Sequence, residues 1–288
     1  MSNNNFFSIK RFGFLLCKDA QENMKKYLLY MLAIYGVLTL IFIWNSTTVY
    51  HIEYKSATEL QFYAAQLNID LIRYAIILFF VFGFIAAAQA MNPINNKVKR
   101  ISYLMLPASS FEKYLSRWVT FTLGFIIIFS AIFLLSDATR VLFCSVRYPD
   151  INIPFIKFSN LISSEFGYSN EIPTLFTNWY HVFIIICSYF YFQSLFILGT
   201  TFWPKNSLVK TFAAGTAIFI AYCLICYFVT SALFSGEEGT KEFSSAMNAC
   251  TGNMMPKNLS LIFLCIFSLF NWVLAYFRFK ESEIIKRW

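Results

Sequence analysis

Six stretches of the chain are apolar from end to end, with no Asp, Glu, Lys or Arg near their centres: residues 27–44, 74–91, 119–136, 179–202, 211–234 and 259–277. A helix rises about 1.5 Å per residue, so roughly 20 such residues cross the hydrocarbon core of a bilayer. Each Leu, Ile, Phe or Val adds about −0.3 to −0.6 kcal/mol to insertion, so the six runs need no help to enter it. The runs are continuous and do not alternate, which excludes barrel strands. The pattern predicts an all-α polytopic membrane protein with six transmembrane helices. Residues 1–26 repeat differently. Ile9, Phe12, Leu16, Ala20 and Met24 share one helical face, and Arg11, Lys18, Glu22 and Lys25 the opposite one. That predicts an amphipathic helix lying in the membrane interface, basic on its wet side.

Between the second and third runs, residues 92–118 form a loop with its own instructions. Pro107 stops any helix arriving from "NPINNKVKRISY". In "LMLPASSFEKYLSRW", Ser109 can cap a new helix and Glu112, three residues on, completes a capping box. Phe111, Tyr114 and Leu115 fall on one side of that helix, with Glu112, Lys113 and Ser116 elsewhere. The expectation is a short capped helix joined directly to span three, with its aromatic side chains offered to a soluble partner. Residues 137–178 contain Pro149, Pro154 and Pro173 and are expected to be a long loop. Residues 279–288 are left as a tail.

Charge orients the spans. The chain is 58% hydrophobic, 20% aromatic and 13% charged, with a net charge of +8. With the N-terminus inside, 16 of the 23 Lys and Arg fall on the cytoplasmic side, while 10 of the 15 acids fall outside. The positive-inside rule then places both termini in the cytoplasm. The excess of positive charge is a topology signal and not a nucleic-acid footprint. Trp44, Trp118, Trp179 and Trp203 stand at span edges, where amphipathic rings prefer to sit. No cleavable signal peptide is expected, because the first 26 residues are mixed and charged.

Catalytic patterns are sparse. His51 and His181 are far apart in sequence, Glu237-Glu238 lies in a Gly-flanked polar loop, and no Walker motif is present. We therefore expect neither a catalytic group, nor a metal, nor a cofactor in this chain. Cys223 and Cys226 form a CxxC inside an apolar run, where small apolar packing is the expected role. Cys144 and Cys250 are both placed in outer loops and can pair if they are close. Asp70 and Arg73, one turn apart, suggest an interfacial ion pair. Gly83, Ala87 and Ala90 form one stripe of small residues, and Ala213, Ala217 and Ala221 another; such stripes allow close helix packing or line a pathway.

The segment "LMLPASSFEKYLSRW" resembles the loop between spans two and three of type-2 ABC transporter permeases, where an "LP-x-S" turn precedes a helix leading to a basic residue and span three. "TFWPKNSLVKTFAA" is similar to the turn these permeases carry before span five. The six spans, the amphipathic N-terminal helix and the internal termini resemble the family too, although its members often have little between spans three and four. The resemblance implies a bacterial cytoplasmic (inner) membrane exporter subunit whose coupling helix docks on a separately encoded ABC ATPase. Pro107, Ser109, Ser110, Phe111, Glu112, Tyr114 and Leu115 would form that helix. It also implies a second permease subunit, identical or related, with ATP and Mg held by the ATPase. Two rivals stand beside it: a membrane sensor or assembly factor without transport, and an integral membrane enzyme acting on lipids.

Overall fold

A computed structural model describes residues 7–51, 57–95, 97–156, 175–176, 178–203, 205–233, 241, 245 and 254–281. Their elements are α1 (Ile9–Tyr50), α2 (Ala57–Ala87), α3 (Asn92–Asn95), α4 (Lys97–Leu104), α5 (Ser110–Val119), α6 (Phe125–Arg147), α7 (Trp179–Phe202), α8 (Ser207–Leu233) and α9 (Met254–Glu281). A π-helical turn, Thr120–Gly124, joins α5 to α6. Among the described residues, six helices are long and apolar enough to cross a membrane, the third being the continuous rod Ser110–Arg147. The protein is an all-α, multi-pass membrane protein.

The chain divides into two compact units. The first comprises residues 1–86 and 108–183, and the second comprises residues 87–107 and 184–288. In the first unit, α1 and the α5–α6 rod lie side by side and point the same way. Tyr27 meets Phe121, Phe42 meets Phe133 and Tyr50 meets Tyr148, with ring centroids 6.1, 5.7 and 6.2 Å apart. The buried face of α1 carries Ile34, Leu38, Phe42, Ser46 and Tyr50, each four residues after the last. Residues at that spacing sit above one another on a helix, so α1 presents one continuous ridge. From α2, Phe79 packs on Phe125 and Phe129.

The first span differs from expectation. Residues 9–26 do not form a separate helix, because α1 runs unbroken through 42 residues. At 1.5 Å per residue it is about 63 Å long, roughly twice the hydrocarbon thickness. No Gly or Pro interrupts the join at residue 26, and ion pairs described below hold the first turns against α5. The third span is also longer than expected. Residues 137–147 continue α6, so Cys144 is a buried helical residue and not a loop cysteine. Its proposed partner Cys250, Pro173, Glu237, Glu238, residues 157–174 and the tail from 282 onward lie outside the described residues.

Beyond Arg147 the backbone folds back along α6. Asp137 and Arg140 pair at 2.7 Å, both almost fully buried. Asp137 accepts the Ile156 N–H at 2.9 Å, and Arg140 donates to the Pro154 carbonyl at 2.8 Å. Each charge thus has a partner of opposite sign and a backbone bond, which is what a buried ion needs.

In the second unit, small and polar residues make the contacts. A methyl group on Gly199 of α7 would stand 1.9 Å from Thr211 Oγ1 of α8, so only hydrogen fits at this crossing. The connection before α8 includes Asn206 at φ 55°, a left-handed conformation that Asn tolerates better than most residues. Ser207 Oγ donates to the Ala88 carbonyl at 3.0 Å. Helices α7 and α9 run parallel: Asn271 Nδ2 donates to Ser194 Oγ at 3.0 Å, Phe190 meets Trp272, and Arg278 stacks 4.4 Å from the Phe202 ring.

Candidate functional site

The loop from α3 to α5 holds every residue of the expected coupling segment. Pro107 lies in the bend after α4 and is exposed, while Ser109 and Ser110 are half-buried at the start of α5. The capping box forms as the spacing predicts. Glu112 N–H donates to Ser109 Oγ at 3.2 Å, and Ser109 N–H donates back to Glu112 Oε2 at 2.9 Å.

Glu112 does more than close its own helix. Its other oxygen, Oε1, accepts the Ser8 N–H at 2.6 Å, and Ser8 is the N-cap of α1. Arg11 reaches the same oxygen through Nη2 at 3.0 Å and Nε at 3.3 Å. One fully buried carboxylate therefore joins two helix N-termini and a guanidinium. Helix N-termini carry partial positive charge from unsatisfied N–H groups, so a shared anion suits both. Burial by itself would raise the Glu112 carboxyl's pKa. The hydrogen bonds from Ser109, Arg11 and Ser8 and the Arg11 charge outweigh it and hold the group below its ordinary value of 4.5.

A second clasp lies about 12 Å further along α1. Arg117 Nη2 of α5 meets Asp19 Oδ1 at 2.7 Å, with both side chains buried. Asn23 Nδ2 also donates to Oδ1, and the Tyr27 hydroxyl donates to Oδ2 at 3.1 Å. Between the clasps, Leu15 is buried. Arg11, Leu15 and Asp19 thus make the contact stripe on α1, one that crosses the apolar and basic faces read from the sequence. The apolar face is divided: Ile9 and Met24 are 78% and 66% exposed, while Phe12 and Leu16 are half-buried, Phe12 against Phe7.

This arrangement changes which apolar side chains of the loop are exposed. Tyr114 is buried, and burial pushes its hydroxyl's pKa up. Phe111 is half-buried and packs edge-on against Phe7 at 6.4 Å. Leu115 is half-buried too. The exposed apolar groups stand one helix earlier: Val98, Ile101 and Met105 are 75%, 48% and 80% exposed, at i, i+3 and i+7 spacing. Sequence reading assigned the docking role to α5 because its partner α1 is a hundred residues away and invisible to local spacing.

The small-residue stripes separate in the same way. Gly83, Ala87 and Ala90 are buried, but α2 ends at Ala87, so Ala90 sits in the following turn. Ala213, Ala217 and Ala221 are exposed on α8. Asp70 and Arg73 pair at 2.7 Å as the sequence suggests. Among the described residues, no three His, Cys, Asp or Glu side chains gather to hold a metal ion.

No family model, curated protein or solved structure matches the chain. Its function is therefore argued from the site alone.

Proposed function

We propose that this protein is the membrane-spanning subunit of an ABC exporter in a bacterial cytoplasmic membrane, with ATP hydrolysed on a separate subunit. The observation that carries the reading is the joint around Glu112. A capped helix ahead of the apolar run 119–136 is continuous with span three through the π-helical turn and is clasped to the long extension of span one. A push on this joint would reach two spans together. A separate exposed apolar row, Val98, Ile101 and Met105, carries i, i+3, i+7 anchors of the kind that dock into a partner's groove. The exposed apolar length of α8 suits lipid or a second permease subunit.

The experiment is purification of the tagged full-length chain from its native membrane in mild detergent, followed by identification of what accompanies it. Co-purification of an ABC ATPase whose hydrolysis depends on this chain is the expected result. Met105→Asp should remove the ATPase while leaving the chain in the membrane, because Met105 is exposed and lies outside all six apolar runs. A chain that purifies without any ATPase and transports nothing would favour the sensor reading.

A further inference from the structure

The second unit contains two thiols in contact. Cys187 of α7 and Cys265 of α9 stand with their sulfurs 3.4 Å apart. They lie about 12 Å along α7 from Trp179 and about 16 Å along α9 from Met254, inside the apolar stretches. The register that brings them together is fixed by the Ser194–Asn271 hydrogen bond and the Phe190–Trp272 ring contact, each within about two turns. Cys187 is half-buried and Cys265 exposed, so the pair is open to the lipid side of the helices.

We propose that Cys187 and Cys265 are an oxidation-sensitive pair that closes to a disulfide between α7 and α9. The bond needs the sulfurs to approach to about 2.05 Å, which rotation about the two Cα–Cβ bonds and small helix shifts can supply. The oxidant is a lipid-dissolved quinone, because water-borne thiols and disulfides do not reach this depth. Two S–H bonds break, one S–S bond forms, and two electrons and two protons pass to the quinone, leaving a hydroquinone. The product adds a covalent tie between two spans that also meet through the Asn271–Ser194 hydrogen bond, ring contacts and the Arg278–Phe202 stack, so the redox state of the membrane sets how freely they move. The inference does not depend on the transport reading.

The test uses full-length protein in membrane vesicles, treated with a fully substituted alkyl benzoquinone, which cannot add to thiols. Free thiols are then alkylated in denaturant and the peptides mapped. The expected result is loss of alkylation at Cys187 and Cys265, recovery of a linked peptide joining them, and reversal by dithiothreitol. Cys17, exposed on α1, should stay alkylated. In Cys187→Ala the linked peptide should vanish and Cys265 should stay alkylatable. Retained alkylation at both positions in the wild-type protein would overturn the proposal without any variant, as would linkage of Cys265 to other cysteines at equal yield.

Discussion

The two units hold their helices together by different physics. In the first, an apolar ridge and ring contacts join α1 to α6, and, before the apolar runs of spans one and three, charges join α1 to α5: Arg11 with Glu112 and Asp19 with Arg117. In the second, the contacts include a glycine too close to its neighbour for any side chain, an amide-to-hydroxyl bond, ring edges and an arginine stacked on a ring. The difference follows from the solvent. Within hydrocarbon a buried charge is expensive and lipid competes for apolar contacts, so close backbone approach and occasional polar bonds select the partner. Where the helices emerge, ion pairs with several hydrogen bonds become affordable and can specify one neighbour among many.

The comparison breaks first at Arg117. Arg117→Ala leaves Asp19 buried without its cation and should cost about 3–5 kcal/mol, read as a drop in the thermal unfolding midpoint of the detergent-solubilised protein. Asp19→Asn should cost a similar amount, because it leaves Arg117 buried without its anion and keeps only one oxygen for the two donors Asn23 and Tyr27. In the second unit, Gly199→Ala forces a methyl into Thr211 and should cost about 1–3 kcal/mol. Adding Thr211→Gly should relieve much of that loss, because the Thr211 Cβ itself would stand 2.9 Å from the new methyl, and failure to do so would mean the close approach is not what holds α7 to α8.

Glu112→Ala comes next, at about 2 kcal/mol, since it removes a cap from each of two helices. Its charge also gives a pH signature. The folded-state pKa is depressed, so the stabilisation is fully present above the unfolded value near 4.5 and is lost as pH falls through the lower folded value. Glu112→Gln should flatten that part of the acid-unfolding curve, whereas an unchanged curve would show that other carboxylates set it. The smallest effect should be Asn271→Leu, at roughly 0.6 kcal/mol, the usual scale of a hydrogen bond between helices in a membrane.

Much of this was legible in the sequence. Six apolar runs gave six helices, and the Ser109–Glu112 spacing gave a capping box with both bonds made. These features are local, fixed by residues within one helical turn or by hydropathy alone. What the sequence hid was pairing across distance. Glu112 looked like half of a local cap, yet it also meets Ser8 and Arg11, more than a hundred positions away. Asp19 was available as a hint, an acid within a mostly basic helix, and so was the i, i+3 spacing of Asp137 and Arg140. Neither spacing nor periodicity says which helix an exposed-looking charge will face.

The central claim is that α1 and α5 are fastened into one joint by charges that recognise each other. A double-mutant cycle on Asp19 and Arg117 measures this directly, using Asp19→Ala, Arg117→Ala and the double variant in the same unfolding assay. The account predicts that the double variant loses less than the two single variants together, with a coupling above about 1 kcal/mol. Losses that add to within about 0.5 kcal/mol would mean that the two residues act independently, and the joint would not exist as described.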